Sequence, residues 1–361
     1  MARDKVTISD VARRAKVSVG TVSHVLTSRI PVTAERRERV MRAIEHLGYV
    51  PNVHAQGLRR AVSNVVGVCF PHVSTSYLGD LSEALERLAA VDGYGVLHVF
   101  SRHDPVIELK RLRELIRYQV DGLILFPSSA PESALDLAHQ KGLPVVTIDR
   151  PSEDTRFDSV TVDNRKVMRE AIGKLVALGH RRLLFVCRFK KLLVTQYRIQ
   201  GMRAAIRAAP EPVGVQILEV KEDEPTFLGE LRRAMRDGAA PTAIVTSNSH
   251  QASLVLGILR ELRTRVPDDV SVLTFDDPEW SRLVQPRLSV IRQPAAAMAQ
   301  AAWSMLVRRI ARSDQPTEAI ALEEEIELRE SVGPPPNAQP TAPENRRTAP
   351  LRSARNDARG R

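Results

Sequence analysis

Residues 6–26 read VTISDVARRAKVSVGTVSHVL, and the reading of this stretch decides what the rest of the chain is for. Thr7-Ile-Ser-Asp10 has the form of a capping box with Asp in the usual Glu/Gln place, which predicts a helix over Ile8–Ala15. Ser18 is a second cap candidate and opens a helix over Val19–Thr27 after only a tight turn. Thr33 is positioned to cap a third helix over Ala34–Leu47, which Gly48 stops. Val11, Val22, Leu26, Val40 and Ile44 recur at helical spacing and supply one small shared core. Two short helices across a tight turn, braced by a third, describe a helix-turn-helix.

In that geometry the first residues of the second helix meet base edges in the major groove. Here they are Val19, Gly20, Thr21, Ser23 and His24. Val19 and the Thr21 methyl suit thymine, and His24 can donate to a guanine or a phosphate. Thr7, Ser18 and the arginine-rich start of the third helix (Arg36, Arg37, Arg39) suit phosphates, which position a protein without reading sequence. A three-helix protein-interaction domain with a solvated basic face is the competing reading.

Charge separates these readings. The chain of 361 residues carries a net +10. Residues 1–60 hold 12 Lys/Arg against 5 Asp/Glu, residues 331–361 hold 6 against 2, and the middle holds 35 against 36. Basicity at the N-terminal end beside a near-neutral middle points to a polyanion partner there, with double-stranded DNA as the first candidate. Two cysteines, Cys69 and Cys187, exclude a disulfide framework and fit a reducing cytoplasm. The longest aliphatic runs, such as Leu254–Leu259, fall far short of the roughly 20 residues of a membrane span. The N-terminus carries no apolar secretion segment, so the expectation is a cytoplasmic protein without membrane contact.

Beyond a linker at 51–63, residues 64–330 alternate apolar runs with amphipathic helical stretches. Strands are expected at Val65–Phe70, Val96–Phe100, Gly122–Phe126, Val145–Ile148, Ser159–Val162, Leu183–Cys187, Val215–Val220, Ala243–Thr246 and Val270–Phe275. Continuous apolar strands between helices indicate parallel sheets covered on both faces. Nine strands overfill one unit, so two α/β subdomains are expected. Ligands in such sheets sit at the carboxyl ends of strands. Asp149, Asp163-Asn164, Asn248 and Asp276-Asp277 close strands there, and Arg198 precedes Gln200-Gly201 on a following helix. Carboxylates, an amide and an arginine together can serve the hydroxyls of a sugar or nucleoside. No Walker loop, Gly-x-Gly-x-x-Gly turn, His-Glu-x-x-His or Cys-x-x-Cys is present, so neither catalysis, a cofactor nor a metal is expected. The tail at 334–361, proline-rich and poor in large apolar residues, is expected to be disordered.

The stretch at 6–26, followed by Leu47-Gly-Tyr-Val-Pro-Asn52, resembles the lactose repressor (LacI/GalR) family, and the likeness runs to about Glu330-Ser331. The resemblance implies a helix-turn-helix head at 5–50, a hinge helix at 51–63 and a periplasmic-binding-protein-like core at 64–333. In that core the first subdomain would take about 64–161 and 293–322, and the second about 162–292 and 323–333. It implies a homodimer that binds operator DNA and answers to a small effector, a sugar or sugar derivative. It assigns DNA contacts to Asn52, Ala55 and Leu58 of the hinge, Leu58 as a minor-groove wedge. Effector contacts fall to Arg198, Asn248, Asp276 and Asp149, with Tyr77 and Trp280 as stacking aromatics. The hinge is short and holds Gly57, so it should fold only when paired on DNA. Departures from the family are Lys16 at a turn position that is usually glycine, which predicts a left-handed or strained backbone there, His24 for an arginine, Ser249 for an aspartate, and the cationic loop Arg188-Phe-Lys-Lys191. Rival readings with the same core are a solute receptor and a sugar-modifying enzyme.

Overall fold

The computed structural model describes residues 6–27, 30–49, 63–220, 224–236, 238, 240–312 and 314–336. The hinge positions Asn52, Ala55 and Leu58, and the tail from 337 on, lie outside the described residues.

Helices α1 (Ile8–Ala15), α2 (Val19–Thr27) and α3 (Ala34–Leu47) close on Val11, Val22, Val40 and Ala43, all buried. Asp10 Oδ2 accepts from the Thr7 amide at 3.0 Å and the Thr7 hydroxyl at 2.6 Å, so the box holds the start of α1. The Ser18 hydroxyl accepts the Thr21 amide at 3.1 Å and caps α2. Thr33 occupies the cap position of α3 but its side chain makes no cap bond, a correction to the expected role. Lys16 adopts φ 53°, ψ 49°, the left-handed one of the two conformations expected, and its amide meets the carbonyls of Ala12 and Arg13.

The core is two six-stranded sheets built to one plan. Along the chain follow β1 (Val65–Phe70), α4 (Ser76–Val91), β2 (Gly95–Phe100), α5 (Pro105–Arg117), β3 (Gly122–Leu125), α6 (Glu132–Gln140), β4 (Val145–Ile148) and β5 (Asp158–Val162). The second half runs α7 (Asn164–Ala177), β6 (Arg182–Cys187), α8 (Leu193–Arg207), β7 (Gly214–Glu219), α9 (Glu224–Arg236), β8 (Ala243–Thr246), α10 (Ser249–Glu261), β9 (Ser271–Phe275) and β10 (Ser289–Arg292). Then α11 (Ala295–Ala311) leads to β11 (Ala319–Leu322) and β12 (Glu325–Glu327). The strand orders are β11-β5-β4-β3-β1-β2 and β12-β10-β9-β8-β6-β7, parallel except for the antiparallel pair β10–β12. Strands β3, β4, β8 and β9 are buried at every residue because helices cover both faces, which is why their sequences do not alternate. The nine expected strands are present, and β10, β11 and β12 are additional.

The chain passes between the sheets three times: at 163–164 after β5, at 293–294 before α11 (which packs on β4 and β5), and at 323–324 between β11 and β12. Cys69 on β1 and Cys187 on β6 are buried, and burial pushes both thiols up to about 12, so they pack rather than react. Among the described residues no helix is long and apolar enough to cross a membrane.

Candidate functional site

A pocket opens at the carboxyl ends of the two sheets, between the subdomains. Five of the six predicted contacts line it: Tyr77, Asp149, Arg198, Asn248 and Asp276. Asp149 follows β4 and Asp276 follows β9, the strands that correspond in the two sheets, and both have φ 69°. His103 and Phe189, also lining the pocket, share this left-handed backbone at φ 64° and 55°. For residues other than glycine such a conformation costs roughly 1–2 kcal/mol, and its concentration around one cavity is the mark of a functional site.

Arg198, on α8, is 6% exposed and fixed from three sides. Its Nε donates to Asn164 Oδ1 at 2.7 Å and its Nη1 to the Ser247 carbonyl at 2.8 Å, while the guanidinium lies 3.4 Å from the centre of the Phe275 ring. Asp276 accepts from Gln293 Nε2 at 2.8 Å, and burial pushes its carboxyl up to about 6 against that bond and the nearby Arg198 charge. The Tyr77 ring belongs to the first subdomain's core, and its hydroxyl donates to Asp149 Oδ1 at 2.8 Å, so it orients a carboxylate. Asn248 caps α10, its Oδ1 accepting from the amides of His250 and Gln251, which leaves its amide nitrogen for a ligand.

Trp280 is not brought into this pocket. It lines a neighbouring groove with Asp80, Ser253 and Pro278 and packs on the second subdomain's core. Asp277 lines the same groove, its carboxylate gripped by Arg329, Arg292 and Arg282 at 2.9 Å each. These arginines hold the Asp277 carboxyl well below its ordinary range despite its burial. In the cationic loop, Lys190 pairs with Glu219 at 3.8 Å and Lys191 is exposed; only Arg188 and Phe189 reach the pocket.

Sequence reasoning missed His72, His103, Arg150, Gln293 and Glu324. The first three follow β1, β2 and β4 closely, so their position just past strand ends was the available signal. Phe189 stacks on His103 with ring centres 4.1 Å apart, joining the second subdomain to the first across the cleft. Asn164, Gln293 and Glu324 sit on the three passages between the sheets. Asn164 and Gln293 hold Arg198 and Asp276, whereas the carboxylate oxygens of half-buried Glu324 are buried with no partner among the described residues, and burial pushes its carboxyl up to about 7.

On the head, Val19 is 39% exposed, Gly20 is open, and Thr21, Ser23 and His24 are half-buried at the start of α2. Thr7 and Ser18 are exposed at the helix starts, and Arg36, Arg37 and Arg39 are exposed on the first turns of α3.

Comparison with known proteins matches residues 7–52 to the family described as bacterial regulatory proteins, lacI family, and residues 172–332 to a periplasmic binding protein-like domain. The transcriptional regulator pepR1 of Lactobacillus delbrueckii subsp. lactis is 30% identical over 312 residues, 85% of this chain and 92% of that protein. This chain belongs to the LacI family. Catabolite control protein A of Priestia megaterium, another relative, is 27% identical over 91% of this chain and 99% of its own length. Among solved structures, the lac repressor dimer bound to operator and the anti-inducer ONPF superposes with a TM-score of 0.80 at 24% identity, covering 91% and 99% of the two chains. The CelR–cellobiose complex gives 0.66 at 25% identity, over 91% and 100%. As a LacI-family core, the molecule has its two sheets on the same plan, with the pocket where their strands end.

Proposed function

We propose that this chain is a cytoplasmic homodimeric repressor that binds a pseudo-palindromic operator and is controlled by a sugar or sugar derivative held between the subdomains. Each head reads one half-site with Val19, Gly20, Thr21, Ser23 and His24, while Thr7 and Ser18 take phosphates. Asn52, Ala55 and Leu58 of the hinge act at the operator centre, Leu58 prying one step apart. Among the named relatives and neighbours, transcriptional regulators, an operator-bound dimer and a cellobiose complex support this reading over a solute receptor or an enzyme.

The observation that carries the proposal is the bonding of pocket residues to the passages between subdomains: Arg198 to Asn164 and Asp276 to Gln293. A ligand on Arg198 and Asp276 therefore acts on groups that also set the subdomain orientation. An effector shifts operator affinity only through its differential affinity for the two orientations, and the operator must shift effector affinity equally. Gel shifts on the DNA upstream of the chain's own gene, titrated with salt and then with sugars, test the proposal. A steep salt dependence, a preference for one sequence and a change with one sugar are expected; binding indifferent to salt and sequence refutes it. Leu58→Ala is expected to weaken the specific complex more than the non-specific one.

A further inference from the structure

We infer that the effector carries an anionic group, a carboxylate or a phosphate, and that it docks at the end of the pocket formed by His72, His103, Arg150 and Arg188. The inference rests on the pocket being the effector site and names the class of molecule that fills it.

The tautomers of the two histidines lead to it. Arg150 Nη2 stands 2.9 Å from His103 Nδ1. A guanidinium only donates, so Nδ1 accepts and the neutral ring carries its proton on Nε2. Among the described residues that Nε2 is buried without a partner. His72 Nδ1 faces the Ser74 amide at 3.3 Å, another obligate donor, which puts its proton on Nε2 as well. Burial, helped by the charges of Arg150 and Arg188, holds both rings neutral, lowering His72 to about 4 and His103 to about 2. Arg188 forms no ion pair among the described residues, unlike Lys190 beside it. One end of the pocket thus offers two N–H donors and two guanidinium groups, one of them uncompensated.

The other end is built for the opposite role. Asp276 accepts there, and Gln293, whose amide nitrogen is spent on Asp276, has its Oε1 buried and, among the described residues, unpartnered; Asp149 adjoins the cationic end, its Oδ2 3.8 Å from Arg150 Nε. Buried polar groups left unpaired are costly, and a ligand that satisfies both ends recovers that cost. Such a ligand has hydroxyls toward the acidic end and an oxyanion toward the His–Arg end, as in a sugar acid or a sugar phosphate. The oxyanion would touch His72, His103 and Arg150 of one subdomain and Arg188 of the other, beside the Phe189–His103 stack that already joins them.

Calorimetry and melting of the full chain with matched trios test this: glucose, gluconate and glucose 6-phosphate; galactose, galactonate and galactose 6-phosphate. Inorganic phosphate at constant ionic strength is added as a probe of the donor end alone. For at least one trio the acid or the ester is expected to bind about tenfold or more tighter than the parent sugar. Tight binding of the acid identifies a carboxylate, and of the ester a phosphate. Arg188→Gln, on a half-exposed side chain, should leave the unliganded melting point unchanged, abolish that preference and remove the stabilisation by inorganic phosphate. The inference is overturned if neutral sugars bind as well as their charged partners, if Arg188→Gln weakens both alike, or if neither charged compounds nor inorganic phosphate has any effect. A neutral sugar that releases the promoter would overturn it and leave the repressor reading standing; a chain that binds no promoter would remove that reading itself.

Discussion

Adding one methyl group at Gly201 should disconnect the pocket from the first passage between subdomains. Gly201 lies on α8 one turn beyond Arg198, and a Cβ there would stand 2.3 Å from the Arg165 carbonyl oxygen at the start of α7. Backbone cannot swing aside as a side chain does, so Gly201→Ala must part the two helices by on the order of 1 Å to restore van der Waals contact. Asn164 precedes Arg165, and its 2.7 Å bond from Arg198 spans the same gap. Lengthened by that much, it is no longer a hydrogen bond. The stacking of Arg165 on Tyr197 and its bond to Gln200 cross the same contact and loosen with it. Overpacking costs about 1–3 kcal/mol, and loss of a hydrogen bond to a charged group about 1.5–3 kcal/mol. Alanine's better helix propensity returns at most about 1 kcal/mol. The core should therefore lose roughly 2–5 kcal/mol in urea unfolding, and the sugar response of operator binding should shrink. Asn164→Ala should cost little more in the Gly201→Ala background, because the bond it removes is already broken. A Gly201→Ala protein within about 0.5 kcal/mol of wild type, or strict additivity of the two substitutions, would refute the reasoning.

Three further outcomes follow from single residues. Lys16→Gly relieves the left-handed residue after α1 and should raise the stability of the head transition by up to about 1 kcal/mol, less the chain entropy of glycine; a fall would contradict the strain argument. Ser18→Ala removes the cap on the Thr21 amide and should cost about 1 kcal/mol, read as roughly fivefold faster hydrogen exchange at that amide. Glu324 has a folded value of about 7, above its ordinary one of 4.5, so the folded state binds more protons between these values and stability is lost as pH rises through that window. The advantage of Glu324→Gln over wild type should thus grow from pH 5 to pH 8, to an order of 1–3 kcal/mol, and a difference that is flat with pH would show that this carboxyl is already neutral or paired.

What the sequence made legible follows the range of the interactions involved. The central strands announce themselves as unbroken apolar runs, LLFVC at 183–187 and AIVT at 243–246, because helices cover both faces. Strand β12 holds Glu325 and Glu327 and follows two more glutamates; it is a strand because β10 supplies its hydrogen bonds, and no local pattern says so. At the site, Asp149, Asn248 and Asp276 were readable as residues that close apolar strands and Arg198 as an arginine on a following helix, and the family pattern added Tyr77. His103 carried the strand-end signal, but its aim and that of Phe189 were not readable, since each is set by a left-handed backbone on a residue that gives no sign of adopting one. Trp280 misled because it packs on the second subdomain's core through contacts distant in sequence, which no local pattern announces.

The energies of these contacts also set how much switching the molecule can do. Turning a two-state equilibrium from 1:99 to 99:1 takes about 5.5 kcal/mol of differential binding. A hydrogen bond to a charged group is worth about 1.5–3 kcal/mol. One link between pocket and passage, Arg198–Asn164 or Asp276–Gln293, cannot supply the whole, but the two together reach that scale. Both partners lie on different passages, so a ligand that engages Arg198 and Asp276 pulls on two of the three strands joining the subdomains. Asn164→Ala or Gln293→Ala alone should therefore leave a partial response, with the effector changing operator affinity by about tenfold rather than a hundredfold or more. The double variant should bind the effector and the operator yet show almost no change of one with the other. If a single substitution abolishes the response, or the double variant keeps it, the switch does not run through these two bonds.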